Sequence, residues 1–267
     1  MNNLFFPAMQ EVAQRIERSP HLLLALDYDG TLTPIVDDPG RALLSAPMRE
    51  LIQAMARRHD VDVALVSGRS LRDLQELVGI ADIIYAGNHG MEIRGPAFSF
   101  IEPTAKAVAR ALHELGLELA KKLGHIHGVF VEDKGLTLSI HHRRVAPVDA
   151  EEVWHTVLRA VEPMSDCFHV THGAKVYEVR PLVRWNKGAA VAWIREKLGI
   201  ADALVTYIGD DATDEDAFAV LGDDAVTIKV GDSAATTAAH YLLPSPAEVR
   251  GFLHWVHVLL QEQRGER

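Results

Sequence analysis

Five apolar residues in succession, Leu22 to Leu26, run straight into Asp27-Tyr28-Asp29-Gly30-Thr31, so the first buried segment delivers two carboxylates to a turn. The run is continuous rather than alternating, which suits a parallel strand covered on both faces. Val61 to Val66, Ile83 to Tyr85, Leu204 to Ile208 and Val226 to Val230 read the same way. Helix-like stretches such as Met48 to Arg58 and Gly188 to Leu198 separate them. This alternation predicts an α/β fold with a doubly wound, Rossmann-like parallel sheet, whose ligands bind beyond the carboxyl ends of the strands. Asp27, Ser67 and Asp210 each follow an apolar run within a residue or two and are expected to meet at one sheet edge.

Between Pro103 and about Arg180 the rhythm changes. Val108, Leu112, Leu115, Leu119 and Leu123 recur at helical spacing and predict a long amphipathic helix. Strands are expected at Val129 to Glu132, Leu136 to His141, near Phe168 and at Lys175 to Val179, with a helix from about Val148 to Val161. The chain is therefore expected to divide into a core of residues 1–102 and 181–267 and an inserted, smaller α/β domain of residues 103–180. The insertion balances ten Lys and Arg with ten Asp and Glu, so the rest of the chain carries the net charge of −10.

That charge opposes unspecific association with nucleic acid, whose phosphates need a basic footprint. It also requires any phosphate site to be locally cationic. Cys167 is the one cysteine in 267 residues, which excludes a disulfide framework and fits a reducing compartment. With no leader-like N-terminus and no stretch of about 18 uninterrupted apolar residues, a cytoplasmic protein without membrane partners is expected, and a monomer is favoured.

The DxDGT string holds two carboxylates near a strand end, where their directions are expected to converge. Two such groups cannot both ionise cheaply unless a cation joins them. Asp27 would then serve as a nucleophile and Asp29 as a proton donor and acceptor; the alternative is a solvated Asx turn. In "ALVSGR", the Ser67 hydroxyl and nearby backbone N–H groups suit a phosphoryl oxygen, with Gly68 permitting close approach and Arg69 beside it. Ser67 could instead cap the helix that starts near Leu71. Lys187 stands at the start of a helix, which is already positive, and this makes sense if an anion sits there; a solvated surface lysine is the other reading. "GDDATDEDAF" offers hard oxygen ligands suited to magnesium, assigned mainly to Asp210 with Asp214 in support and Asp211 as the weaker candidate. Part of that acidity is ordinary for a first helical turn. His89, in "GNHG", is expected to contact substrate or cap; a zinc site among the histidines of the insertion is conceivable but disfavoured, because His125 and His127 fall in an expected loop with no carboxylate at an obvious ligand spacing.

Taken in order, DYDGTL, SGR, the lysine before a helix and GDDATDEDAF resemble the haloacid-dehalogenase-type phosphotransferases. More narrowly, "AGNHGMEIR", "VEDKGLTLSIHHR", "KVYEVRP", "NKG" and "GDDATDEDAF" are similar to the trehalose-6-phosphate phosphatases, with an α/β cap inserted where the rhythm changes. The resemblance implies that Asp27 is the nucleophile, Asp29 the general acid and base, and Ser67 and Lys187 the phosphoryl clamps. It implies Mg²⁺ held by Asp27, Asp29 through its carbonyl, and Asp210. It further implies that Glu132, Lys134, Arg143 and Glu178 on the cap read the sugar. Thr31, Gly68, Arg69, Asn88 and His89 complete the expected substrate-binding set. The expected reaction is hydrolysis of trehalose 6-phosphate through an aspartyl phosphate, with the cap excluding bulk water. Alternatives are a phosphatase for sucrose phosphate or glucosylglycerol phosphate, a phospho-aspartate signalling receiver, and a catalytically silent sugar binder.

Overall fold

The computed structural model describes residues 3–4, 8–36, 39–173, 175–232 and 236–263. In chain order the elements of the first unit are β1 (Asn3–Leu4), α1 (Met9–Arg18), β2 (Leu22–Leu26), α2 (Ala46–Ala56), β3 (Val61–Val66), α3 (Leu71–Val78), β4 (Ile84–Gly87), β5 (Glu92–Arg94) and β6 (Ser99–Ile101). The second unit contains α4 (Pro103–Leu123), β7 (Phe130–Asp133), β8 (Leu138–His141), α5 (Ala150–Val161), β9 (Phe168–Gly173) and β10 (Val176–Pro181). The chain then returns to the first unit with α6 (Lys187–Leu198), β11 (Leu204–Gly209), α7 (Ala212–Leu221), β12 (Val226–Val230), β13 (Tyr241–Leu243) and α8 (Pro246–Gln263). The two compact units are residues 1–100 with 185–267, and residues 101–184.

The first unit is built on a nine-stranded sheet in the order β1-β13-β12-β11-β2-β3-β4-β5-β6. From β1 to β4 every neighbouring pair is parallel, and β5 runs antiparallel to β4. All five residues of β2 are buried, and they divide between two cores. Leu22, Leu24 and Leu26 join one cluster with residues of α1, α2, α3 and α8. Leu23 and Ala25 join another with residues of α6 and α7. Burial on both faces is the physical reason the segment is uniformly apolar. The chain winds from β2 to β3 on one side and returns with β11 on the other, so the sheet has its topological switch at β2. The loops after β2 and β11 open into one crevice there.

The second unit has a four-stranded sheet, β7-β8-β10-β9, antiparallel throughout. Its own core packs Leu112, Leu115 and Leu119 of α4 and Val153 and Val157 of α5 against Leu138, Ile140 and Val179.

Candidate active site

Asp27 leaves the carboxyl end of β2 and is 4% exposed. Its carboxylate Oδ1 accepts a hydrogen bond from Lys187 Nζ at 2.7 Å. Lys187 opens α6, where Asn186 caps the helix by accepting from Ala189 N–H, and the Lys187 side chain is 2% exposed. The same ammonium donates to Asp214 Oδ1 at 2.8 Å. Lys187 is thus a buried cation between two carboxylates rather than a solvated surface lysine. Burial opposes its charge, but Asp214 and Asp27 hold its pKa well above the ordinary lysine value.

Asp214 is fully buried, and each of its oxygens is engaged twice. Oδ1 accepts from Lys187 and from the Tyr207 hydroxyl at 2.7 Å. Oδ2 accepts from the backbone N–H of Asp210 at 2.9 Å and of Asp211 at 3.0 Å. Asp211 caps α7 by accepting from Thr213 N–H and Asp214 N–H, so the two acids form a reciprocal capping box. Part of the acid-rich string is therefore a helix cap that pins the loop carrying Asp210. Space is tight enough here that a Cβ on Gly209 would collide with the Asp214 carboxyl carbon. Tyr207 is absent from the sequence-based site set; its signal was a phenol beside Thr206 in a wholly buried strand.

Carboxylate oxygens of Asp27, Asp210 and Asp214 all lie within 4.8 Å of one another. Burial pushes the Asp27 carboxyl upward against the pull of Lys187, and the Asp214, Asp210 and Asp211 charges add to the push. Burial, then the charges of Asp214 and Asp211, raise Asp210 to about 7. Asp211 differs: burial opposes its ionisation, yet Lys187 and hydrogen bonds from Thr213 and Asp214 keep its carboxyl below the ordinary range. Like charges crowded this closely with hard oxygen donors fit a divalent cation. Thr31 Oγ1 stands 3.4 Å from Asp210 Oδ1. Gly30 has φ +80°, and a Cβ there would run into the Asp210 carboxylate, so glycine is required twice over.

Asp29 does not share the environment of Asp27. Its carboxylate accepts two bonds from Arg69, Nε to Oδ2 at 2.6 Å and Nη2 to Oδ1 at 2.7 Å. Arg69 also donates to Asp73 Oδ2 at 2.7 Å. The convergence expected from the DxD spacing is replaced in this conformation by separate pairing, because a planar guanidinium satisfies a carboxylate bidentately. Arg69 is here a partner of Asp29.

Ser67 directly follows β3, buried, and its hydroxyl accepts from Arg69 N–H at 3.2 Å. It does not cap α3; Ser70 does, accepting from Asp73 N–H. The Asn88-His89-Gly90 turn is tied back to this segment: Asn88 N–H donates to Arg69 O and His89 N–H to Ser67 O. Asn88, His89 and Gly90 all have positive φ, and a Cβ at Gly68 would stand 2.7 Å from His89 Cε1. Such a left-handed run of non-glycine residues persists only where the surroundings enforce it. Trp185 helps enforce it by donating Nε1–H to Gly90 O at 2.8 Å.

In the second unit, Lys134 Nζ donates to Glu178 Oε1 at 3.1 Å, and Ser139 Oγ donates to the same oxygen at 3.3 Å. Glu132 pairs with His141 Nε2 at 2.8 Å. Arg143 follows β8 in an exposed turn. Among the described residues, no helix is long and apolar enough to cross a membrane.

Residues 25–246 match the family model for trehalose-phosphatase. The chain is 39% identical to trehalose 6-phosphate phosphatase RA3 of Zea mays, over 88% of this chain and 70% of that one. Among solved structures, one described as a trehalose-6-phosphate phosphatase related protein superposes with a TM-score of 0.80 at 24% identity, covering 90% of this chain and 99% of that one. The Aspergillus fumigatus trehalose-6-phosphate phosphatase superposes with a TM-score of 0.65 at 28% identity, covering 93% and 97%. The chain belongs to the trehalose-phosphatase family.

Proposed function

We propose that this protein hydrolyses trehalose 6-phosphate to trehalose and phosphate, with Asp27 as nucleophile. The observation that carries the reading is the Asp27 carboxylate, buried and hydrogen-bonded to the Lys187 ammonium at 2.7 Å beside Asp210 at the sheet's switch point. Reactions of this class are accelerated by up to ~10²¹-fold, and for phosphoryl transfer most of that comes from positioning and charge stabilisation.

Asp27 and Asp210 through their carboxylates, and Asp29 through its backbone carbonyl, would hold Mg²⁺, whose charge keeps Asp27 ionised and offsets that of the phosphoryl oxygens. Asp214 serves that site indirectly, by fixing the backbone of Asp210 and the Lys187 ammonium. Lys187 holds one Asp27 oxygen in place and lowers the repulsion between carboxylate and phosphate. An Asp27 oxygen bonds to phosphorus while the bond from phosphorus to the sugar oxygen breaks, and Asp29 donates the proton that this oxygen takes up. To do so Asp29 leaves Arg69, takes up a proton from solvent and meets the substrate as the carboxylic acid. Asp29 then accepts a proton from water as the water oxygen attacks the aspartyl phosphate and phosphate leaves. Ser67 is the hydroxyl donor to the phosphoryl group, with Gly68 leaving room for it; Thr31, Asn88 and His89 line the same crevice. Glu132, Lys134, Arg143 and Glu178 bind sugar hydroxyls, and a lone cysteine fits work in the cytoplasm.

Phosphate release from a panel of sugar phosphates, with and without Mg²⁺, tests the reading. Turnover is expected to be highest on trehalose 6-phosphate, to require Mg²⁺, and to fall by about 10³-fold or more in Asp27→Asn. Higher turnover on another sugar phosphate, or full activity in Asp27→Asn, overturns it.

A further inference from the structure

The sheet of the second unit has one face packed by α4 and α5 and a second face of different chemistry. Leu138, Ile140 and Val179 are fully buried in that unit's core, with Val131, Val170 and Tyr177 packed against it. Side chains alternate along a strand, so the residues between these lie on the opposite face. The pairing register arranges them in rows across the sheet. Phe130 pairs with His141 and His141 with Val176. One step along the strands on the same face, Glu132 pairs with Ser139, Ser139 with Glu178, and Glu178 with Thr171. An apolar and aromatic row therefore lies beside a carboxylate and hydroxyl row, about 7 Å away.

Contacts within the face agree with that parity. The Phe130 ring stacks on His141 with centroids 5.8 Å apart and planes inclined by 24°, and the His141 ring reaches Glu132. The Lys134 and Glu178 side chains are only 11% and 14% exposed, whereas Phe130 is 61% exposed. An aromatic ring held flat by its neighbour and open to solvent, beside a row of acceptors at strand spacing, matches the two chemistries of a pyranose: an apolar face of C–H groups and an edge of hydroxyls.

We propose that Phe130 is a specificity-determining residue that stacks against a pyranose ring of the substrate, and that His141 positions it and fixes the Glu132 carboxylate. The proposal rests on the sugar-phosphatase reading above. An exposed phenylalanine on a strand is otherwise a liability for association.

The test is the steady-state kinetics of wild type, Phe130→Ala, Phe130→Trp and Phe130→Leu on trehalose 6-phosphate and on p-nitrophenyl phosphate, which has no sugar. For Phe130→Ala, KM for trehalose 6-phosphate is expected to rise about tenfold with little change in kcat, equivalent to about 1.4 kcal/mol. Inhibition by free trehalose should weaken by the same factor. Phe130→Trp is expected to restore KM, and Phe130→Leu is not. An unchanged KM in Phe130→Ala, or equal rescue by leucine, overturns the stacking role while leaving the phosphatase reading intact. A change in oligomeric state with KM unchanged also overturns it and makes the ring a protein contact. If wild type cleaves the aryl ester but not trehalose 6-phosphate, both readings fall.

Discussion

At the scale of single residues, the site is decided by how many donors a buried carboxylate can satisfy. Asp214 takes four, from Lys187, Tyr207 and two backbone N–H groups, and this is the full capacity expected of an ionised acceptor. Burial pushes its carboxyl upward, and Lys187 pulls it back. Tyr207→Phe keeps the ring that packs edge-on against Phe218 and removes only one donor. Loss of a partner from a buried acceptor costs about 1–3 kcal/mol, so urea unfolding should show the variant less stable by that amount. An unchanged midpoint would mean that the bond contributes nothing in solution. Asp27 and Asp29 teach a related lesson. Their two-residue spacing was legible in the string DxD, but their partners, Lys187 and Arg69, lie 160 and 40 positions away. No local rule connects such residues.

At the scale of elements, strands buried on both faces were the easiest to read. The runs at Val61 to Val66 and Val226 to Val230 became β3 and β12 with the same limits, because their β-branched and aliphatic residues are buried on both faces even though Asp62 interrupts the first and Thr227 and Lys229 the second. Short edge elements were not legible. β13, only Tyr241–Leu243, and the strands β5 and β6 carry too few residues for a period to register. α8 has apolar residues spread around much of its circumference, which blurs the helical signature. In the second unit, burial, then the charges of Lys175, His141 and His172, lower the pKa of His142, whose ring stacks on Tyr177 at 4.3 Å. The unfolded chain, with His142 at its ordinary value of about 6.5, binds more protons than the folded one in the interval below. The stabilisation is present above that value and is lost as pH falls through the lowered folded pKa. Thermal unfolding followed from about pH 7.5 to about pH 5.5 should therefore show a falling midpoint, with a smaller fall in His142→Gln. An equal fall in both proteins would assign the effect to another group.

At the scale of the whole molecule, residues 1–100 with 185–267 and residues 101–184 each surround a core of their own. Units with separate cores unfold as separate cooperative blocks when few contacts couple them. Denaturation monitored by calorimetry is expected to resolve two transitions. Adding Mg²⁺ should raise only the transition of the unit that contains Asp27 and Asp210, since a ligand stabilises the fold to which it binds. A single transition that moves as one with Mg²⁺ would show the units to be thermodynamically fused.

The apolar runs determined by themselves that a parallel sheet would form and that Asp27, Ser67 and Asp210 would stand at its carboxyl edge, because hydrophobic burial on two faces leaves a strand few other fates. Tertiary structure alone decided which charge answers which. Asp29 went to Arg69, Lys187 was buried between Asp27 and Asp214, and Tyr207 joined the network from within a strand. Hydrogen bonds and ion pairs act over about 3 Å of space regardless of separation along the chain, so their partners exist only once the sheet has been wound.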